Sequence, residues 1–345
     1  MREQRDVELA ALTTLRLGGP ARRLVEVTSE DEIIASVREA DARGEPVLVL
    51  GGGSNVVAAD DGFAGTVVLV RTRGVGVAAD ASGGATVTVA AGEEWGAFVD
   101  RAVHEQWVGV EALAGIPGLV GAVPIQNVGA YGQEVAQTIA NVRAYDRSER
   151  RVRTFASGDC GFAYRTSRFK TEPGRYVVLS VEFRFERGEL SAPVRYAELA
   201  RRLGVPQGER AKAGDVREAV LALRRGKGMV LDEHDHDTWS AGSFFTNPIL
   251  SADDAARLPA DAPRFEQPDG RVKTSAAWLI DHAGYGRGYG DGAVTLSTKH
   301  ALALTNRGGA TTSELLDLAR EVRAGVEKAY GVTLHNEPVL VGTEL

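Results

Sequence analysis

The chain has 345 residues, 43% of them hydrophobic and 25% charged, with a formal net charge of −7. That composition suits a soluble globular protein of two domains, or of one large domain carrying an insertion. It excludes a global electrostatic footprint for nucleic acid, and no apolar run reaches the roughly 18 residues of a membrane-spanning helix. The opening Met1-Arg2-Glu3-Gln4-Arg5-Asp6 lacks the apolar core of a signal peptide, so a cytoplasmic protein is expected. The single cysteine, Cys160, cannot form an intrachain disulfide; with no His or Lys beside it, it reads as a packed thiol.

In chain order, Ser29-Glu30-Asp31-Glu32 reads as a capping box. Ile33, Ile34, Val37 and Ala40 share one helical face, and Gly44 ends the helix. A buried-strand run, Val47–Leu50, leads into Gly51-Gly52-Gly53-Ser54-Asn55. Strand patterns recur at 67–70 and 87–89, and Trp95, Phe98, Val99, Ala102 and Val103 fit a helix face. Residues 109–134 are glycine-rich with little period. Strands are expected at 141–145, 152–155 and 176–185. Asp215 begins a helix with Val216, Val220 and Leu223 inward, ending at Arg224-Arg225-Gly226-Lys227. Residues 251–270 read as a loop, 276–282 as a helix, and 294–296 and 301–305 as strands. Thr311-Thr312-Ser313-Glu314 caps a last helix through Leu315, Ala319, Val322 and Val326, and strands follow at 332–334 and 339–341. The fold class expected is α+β.

Gly51-Gly52-Gly53-Ser54-Asn55-Val56 follows a strand but is not a dinucleotide fingerprint, because Val56 stands where a third glycine is needed and no helix pattern opens after it. Such a turn can offer backbone N–H groups to a pyrophosphate, or be an ordinary tight turn. The second segment runs from Gly115 to Glu134, its glycines allowing close approach to a ligand and its Gln126-Asn127 pair suiting a flat polar ring. Two separated glycine segments, neither of the Rossmann type, fit one large dinucleotide lying across two subdomains.

Leu50-Gly-Gly-Gly-Ser-Asn-Val and Ile116-Pro-Gly-x-x-Gly, the latter followed by Pro124-Ile-Gln-Asn-Val-Gly-Ala-Tyr-Gly, resemble the FAD-binding segments of the UDP-N-acetylenolpyruvoylglucosamine reductase (MurB) family. Tyr164-Arg-Thr-Ser-Arg-Phe-Lys170, Ala241-Gly-Ser-Phe-Phe-Thr-Asn-Pro248 and Asn336-Glu-Pro338 resemble three further motifs of that family, in the same order. The resemblance covers nearly the whole chain. It implies a vanillyl-alcohol-oxidase-type FAD-binding domain in two subdomains over residues 1–210, a smaller α+β substrate-binding domain over 211–330, and a return of 331–345 to the FAD part. It implies bound FAD held by Gly51, Gly53, Ser54, Asn55, Ile116, Gly118, Gly121, Gln126, Asn127, Gly129 and Ala130. NADPH is then the co-substrate, the enolpyruvyl ether of UDP-N-acetylglucosamine the substrate, and a monomer is expected.

The chemistry explains the residue types. Hydride adds to the terminal carbon of an enol ether, and charge develops at the adjacent carbon and its carboxylate. Arg165 is suited to pair with that carboxylate, Glu337 to stabilise the enolate form, and Ser243 to deliver the proton. The resemblance assigns Lys227 to phosphate and Asn247 to the substrate, with Arg224 one helical turn before Lys227 able to assist. It matches Tyr196 to a tyrosine loop that closes over substrate in one subtype. Taken singly, the arginine, the serine and the glutamate are more often bland: an ion-pair or surface residue, a turn residue or helix cap, a strand-end charge; the bland alternative for Tyr196 is a half-buried helix-start aromatic. Glu233-His234-Asp235-His236-Asp237 is metal-like, but has no third histidine partner and reads as a solvated loop; no metal is expected. Two other readings stand beside this one. One is a flavin oxidase, which often tethers FAD through His or Cys, though neither glycine segment contains a histidine. The other is a non-catalytic sugar-nucleotide sensor.

Overall fold

The computed structural model describes residues 1–79 and 83–345. The chain forms two compact units. The first comprises Met1–Val7, Ala21–Gly52 and Ala64–Arg225; the second comprises Glu8–Pro20, Gly53–Phe63 and Gly226–Leu345. These boundaries differ from those expected at 210 and 330. Helix Ala213–Gly226 belongs, up to Arg225, with the first unit, where Arg217 pairs with Asp100 at 2.7 Å and the Ala213 amide donates to the Glu189 carbonyl at 3.0 Å. Residues 331–345 belong with the second unit, because strand Val339–Val341 pairs in parallel with Val56–Ala58, itself part of that unit.

In the first unit a mixed sheet runs in the order Arg2–Gln4, Pro20–Val27, Phe63–Val70, Val47–Leu50. An antiparallel sheet runs in the order Arg151–Ala156, Ile139–Asp146, Tyr176–Arg187, Ala85–Ala90, Val75–Ala79. One core joins them: Val25, Val27, Val68 and Val70 from the mixed sheet, Ile33 and Val37 from helix Glu30–Ala42, and Tyr145, Val177 and Leu179 from the antiparallel sheet. Each fully buried aliphatic side chain contributes roughly 1.5–3 kcal/mol of transfer free energy. Strands Arg2–Gln4 and Pro20–Val27 were not evident from the sequence pattern. Arg22-Arg23 interrupts the second, and Arg23 is buried there against Glu3 at 3.0 Å and Glu39 at 3.2 Å.

The 30–42 helix is capped by Ser29, whose hydroxyl accepts from the Glu32 amide at 3.2 Å. The reciprocal half of the expected box is displaced by one residue: the Glu32 carboxylate takes the Thr28 amide at 2.7 Å and the N-terminal ammonium at 2.6 Å. Helix Trp95–His104 buries its expected apolar face, Trp95, Phe98, Val99 and Ala102. Phe98 packs on Phe183 with centroids 5.0 Å apart, and Trp107 stacks on Phe185 at 5.8 Å.

The second unit is organised by helix Thr312–Tyr330. Its capping box is complete: the Thr311 hydroxyl accepts from the Glu314 amide at 3.2 Å, and the Glu314 carboxylate from the Thr311 amide at 2.8 Å. Asp60 accepts the Thr312 and Ser313 amides as well, at 2.7 and 2.9 Å, so a second carboxylate sits at the positive end of the helix. Leu315, Ala319, Val322 and Val326 face inward as expected, onto Leu279 and Ile280 of helix Ala276–His282 and Leu296 and Leu304 of hairpin Val294–Leu296/Leu304–Asn306. At Gly325 the Tyr285 ring fills the space a side chain would occupy. Three expectations shift here. Residues 251–270 hold a short helix, Ala252–Ala256, capped by Ser251, and strand Phe265–Glu266. The 301–305 strand is only Leu304–Asn306, and 332–334 is irregular. Helix Ala213–Gly226 starts before Asp215, which therefore lies in its first turn, and Leu221 is buried where Leu223 was expected.

Candidate active site

In the first unit the two glycine-rich segments come together. A Cβ placed on Gly52 would lie 2.9 Å from the Cα of Gly118, so two bare backbones meet where any side chain would hold them apart. Gly121 is pinned beside them, its amide donating to the Ala91 carbonyl at 2.8 Å. Close-set bare backbone of this kind is the sort that can offer N–H groups to a phosphate.

The 109–134 stretch is built from short turns, Glu111–Leu113 and Val120–Ala122, and a small hairpin, Gly129–Ala130 with Gln133–Glu134. Ile116, Gln126, Gly129 and Ala130 are half-buried along it. Asn127 is buried in a left-handed conformation, φ 46°. Its Nδ2 donates to Glu134 at 2.9 Å and to the Ala163 carbonyl at 3.2 Å, and its Oδ1 accepts from the Ala136 amide at 3.1 Å. That side chain braces the loop and its neighbour.

The neighbour carries Arg165. Ala163 and Thr166 exchange two backbone hydrogen bonds, closing a tight turn in which Arg165 takes φ 53°. A left-handed arginine costs on the order of 1–3 kcal/mol and persists only where its surroundings enforce it. Here Lys170 Nζ donates to the Arg165 carbonyl at 3.2 Å, and the Ser167 hydroxyl to the Ile125 carbonyl at 2.6 Å. The Arg165 guanidinium lies by Gly129: a Cβ there would come 3.4 Å from Nη1. Arg224 shares this neighbourhood. Burial first, and then the like charge of Arg165, pull its pKa down to about 10, while Tyr131 opposes the shift. The structure thus groups Arg224 with Arg165, where the sequence suggested a partner for Lys227. Two cations near enough for one to lower the pKa of the other suit an anionic ligand. Tyr131, also left-handed at φ 49°, meets Tyr196 edge-on at 5.3 Å.

In the second unit the serine segment is anchored by Phe244 and Phe245, both buried in the core. Phe245 bridges Asn336 in an antiparallel pair, the Glu337 amide donates to the Phe244 carbonyl at 2.8 Å, and the Thr246 amide to the His335 carbonyl at 3.0 Å. Ser243 and Glu337 therefore lie on adjacent strands-in-miniature, one residue apart in register. Asn55 holds the other side: its Nδ2 donates to the Glu337 carbonyl at 3.4 Å, and its own carbonyl accepts from the Val339 amide at 2.9 Å. Asn55, expected at the cofactor, also positions the glutamate segment. Gly53 makes that turn possible with φ 60°, since a side chain there would strike the Leu12 carbonyl. Ser54 and Lys227 are half-buried, Lys227 just beyond the end of helix Ala213–Gly226. Asn247 accepts the Ala276 amide on its Oδ1 at 3.0 Å, at the start of helix Ala276–His282.

The histidine-rich loop is structural. Asp237 accepts from the Thr298 hydroxyl and amide at 2.5 and 2.9 Å and from Arg307 at 2.9 Å. Lys299 pairs with Asp235, and His236 and Arg16 both pack on the Trp239 ring. Among the described residues no group of His, Cys, Asp or Glu is arranged to hold a metal. Cys160 is buried, and burial pushes its thiol up to about 12, far from a nucleophile's range. Sequence reasoning missed Glu111, Tyr131, Gln133, Ser167 and Lys170. The last two lie inside the Tyr164–Lys170 motif, and the others inside or beside the second glycine segment.

The known proteins agree with this architecture. A family model described as the C-terminal domain of UDP-N-acetylenolpyruvoylglucosamine reductase matches residues 233–341, and an FAD binding domain model matches residues 21–154. The UDP-N-acetylenolpyruvoylglucosamine reductase of Cutibacterium acnes is 61% identical over 340 residues, spanning 98% of this chain and 90% of that protein. The reductase of the same name from Thermobifida fusca is 58% identical over 351 residues, spanning 99% and 98%. The crystal structure of the Thermus caldophilus enzyme superposes with a TM-score of 0.67 at 24% identity, over 99% of each chain, a likeness of fold. A vanillyl-alcohol-oxidase-type FAD-binding domain with a mixed α/β partner defines a flavin-dependent oxidoreductase whose cofactor is FAD. Within that class, the chain belongs to the UDP-N-acetylenolpyruvoylglucosamine reductase family.

Proposed function

We propose that the protein reduces the enolpyruvyl ether of UDP-N-acetylglucosamine to UDP-N-acetylmuramate for peptidoglycan synthesis, with NADPH as reductant, acting as a cytoplasmic monomer. The observation that carries this reading is the pairing of the Ser243 segment with the Glu337 segment, held by Asn55, in a chain 61% identical to a reductase of that name. Bound FAD supplies the hydride that NADPH delivers to it.

The chain's own residues do the rest. Arg165 pairs with the substrate carboxylate and is held for that task by Lys170 and the Ala163–Thr166 turn. The terminal carbon of the double bond gains hydride, and the adjacent carbon gains a proton from the Ser243 hydroxyl. Glu337 stabilises the enolate form that precedes that proton transfer. Lys227 and Asn247 hold the nucleotide and sugar, with Arg224 adding charge beside Arg165. Tyr196, set against Tyr131, covers the substrate, as in the subtype with the extra tyrosine loop. Gly51, Gly53, Gly118, Gly121 and Gly129, with Ser54, Ile116, Gln126, Asn127 and Ala130, line the FAD.

The test is anaerobic. Holoenzyme is reduced with NADPH, and enolpyruvyl-UDP-N-acetylglucosamine is then added. Flavin absorbance returns at a rate set by substrate concentration, and UDP-N-acetylmuramate accumulates in equal amount. A reduced flavin that the sugar nucleotide leaves reduced overturns the reading.

A further inference from the structure

Glu111 is fully buried, and its carboxylate accepts three hydrogen bonds. Its Oε2 accepts from the Gly109 amide at 2.7 Å; its Oε1 accepts from Gln133 Nε2 at 2.9 Å and from the Ala192 amide at 2.6 Å. Gln133 in turn accepts the Ala112 amide at 2.8 Å. Three stretches of the first unit thus converge on one carboxylate: the start of the glycine-rich loop, the turn carrying Tyr131, and the segment leading to Tyr196. Burying a carboxylate is expensive, and packing alone would be served as well by an apolar residue. What the carboxylate provides is a fixed set of acceptors for donors on separate pieces of chain.

The 190–196 segment shows what those acceptors hold. Its outer edge is tied to a neighbouring stretch: the Ser191 amide to the Ala211 carbonyl at 2.7 Å, the Val194 amide to Glu209 at 2.8 Å, and Gln207 to the Arg195 carbonyl at 2.6 Å. Its inner edge faces the turn at Tyr131. There Arg195 packs so close to Gly132 that a Cβ on the glycine would lie 3.2 Å from the arginine's own. The Ala192 amide on Glu111 joins this inner edge to the glycine-rich loop. We infer that Glu111 is a positioning residue that latches the 191–196 segment onto the glycine-rich loop and so sets Tyr196 against Tyr131.

The inference rests on the proposed reading of Tyr196 as the group that covers the substrate, and the experiment separates the two. In FAD-loaded E111A every acceptor on this side chain is removed, the one that takes the Ala192 amide among them. The KM for enolpyruvyl-UDP-N-acetylglucosamine then rises about tenfold, the rate of flavin reduction by NADPH is unchanged, and trypsin cuts faster after Arg195. A192P removes the same hydrogen bond from the other side, leaves Glu111 and Gln133 in place, and gives the same pattern. If either variant that retains FAD keeps the wild-type KM and the wild-type cleavage rate, the latch does not exist. If both lose FAD, Glu111 braces the whole loop and the inference likewise falls. Y196F is the control: an unchanged KM there defeats the reading of Tyr196, while cleavage after Arg195 still decides the role of Glu111.

Discussion

At the scale of single residues, the side chains proposed to carry the chemistry have backbones that are held firmly. Arg165 sits at φ 53° with Lys170 on its carbonyl, and Glu337 is gripped through its backbone by Phe244 and Asn55. Pre-set geometry of this kind lowers the reorganisation that the reaction must supply. Ser243→Ala removes the proposed proton donor and is expected to slow reoxidation of reduced flavin by the sugar nucleotide about 10²–10⁴-fold, read as a single-turnover absorbance change; a rate within the wild-type error would remove Ser243 from the reaction. Ser243, Arg165 and Glu337 were legible in the sequence only as members of motifs. Their supports were less so. Asn55 reads as one more polar residue of a glycine turn, and its bond to the Glu337 carbonyl joins positions near opposite ends of the chain, a separation that no local pattern reports. Arg224 is similar: helical spacing relates it to Lys227, while the charges of Arg165 and Tyr131, distant in sequence, also act on it.

At the scale of elements, the helices were the most legible, because a cap and an apolar face are both written locally. Thr311 and Glu314 close the box on the longest helix, and its inward face is the expected one. Thr311→Ala is expected to cost about 1 kcal/mol, seen as a lower urea midpoint, with Asp60 still serving the Thr312 and Ser313 amides. Strand Pro20–Val27 escaped notice because the inward-facing Arg23 breaks the apolar pattern. The loop before the serine segment looked like solvated charge and is instead pinned at Asp237. Burial alone would raise that carboxyl's pKa. The Thr298 hydroxyl and amide, Ser297 and the Arg307 charge outweigh it, and hold the group below the ordinary carboxylate range. A depressed folded-state pKa gives stability that is present above the unfolded value, about 4, and is lost as pH falls through the folded one. Asp237→Asn should therefore destabilise the protein by about 1–3 kcal/mol at neutral pH and flatten the loss of thermal stability below about pH 4. Parallel melts of the two proteins across that range check the sign; a variant that falls as steeply as wild type would contradict it.

At the scale of the whole molecule, FAD should be part of the stability as well as of the chemistry. A ligand that binds only the folded chain adds about 2.7 kcal/mol at a hundredfold excess over its dissociation constant. Protein stripped of FAD should melt at a lower temperature, and its Tm should climb with each increment of FAD restored; a Tm indifferent to FAD would contradict the cradle at Gly52 and Gly118. The borders expected at 210 and 330 are not those of the compact units, because residues 53–63 join the second unit by strand pairing with 339–341, and residues 8–20 through the bonds of Thr14 to the Ser240 carbonyl and of Asn306 to the Leu15 carbonyl. That pairing has a consequence during synthesis. Val56–Ala58 leaves the ribosome long before its parallel partner Val339–Val341. A nascent chain must carry that strand uncompleted while everything between the two is made, with an open edge exposed to other chains. The first unit holds nearly all its own strands by residue 187 and can close early. Assembly of the second waits, so a ribosome stalled anywhere in the last helix leaves a chain able to fold its first unit but with no means to place Glu337.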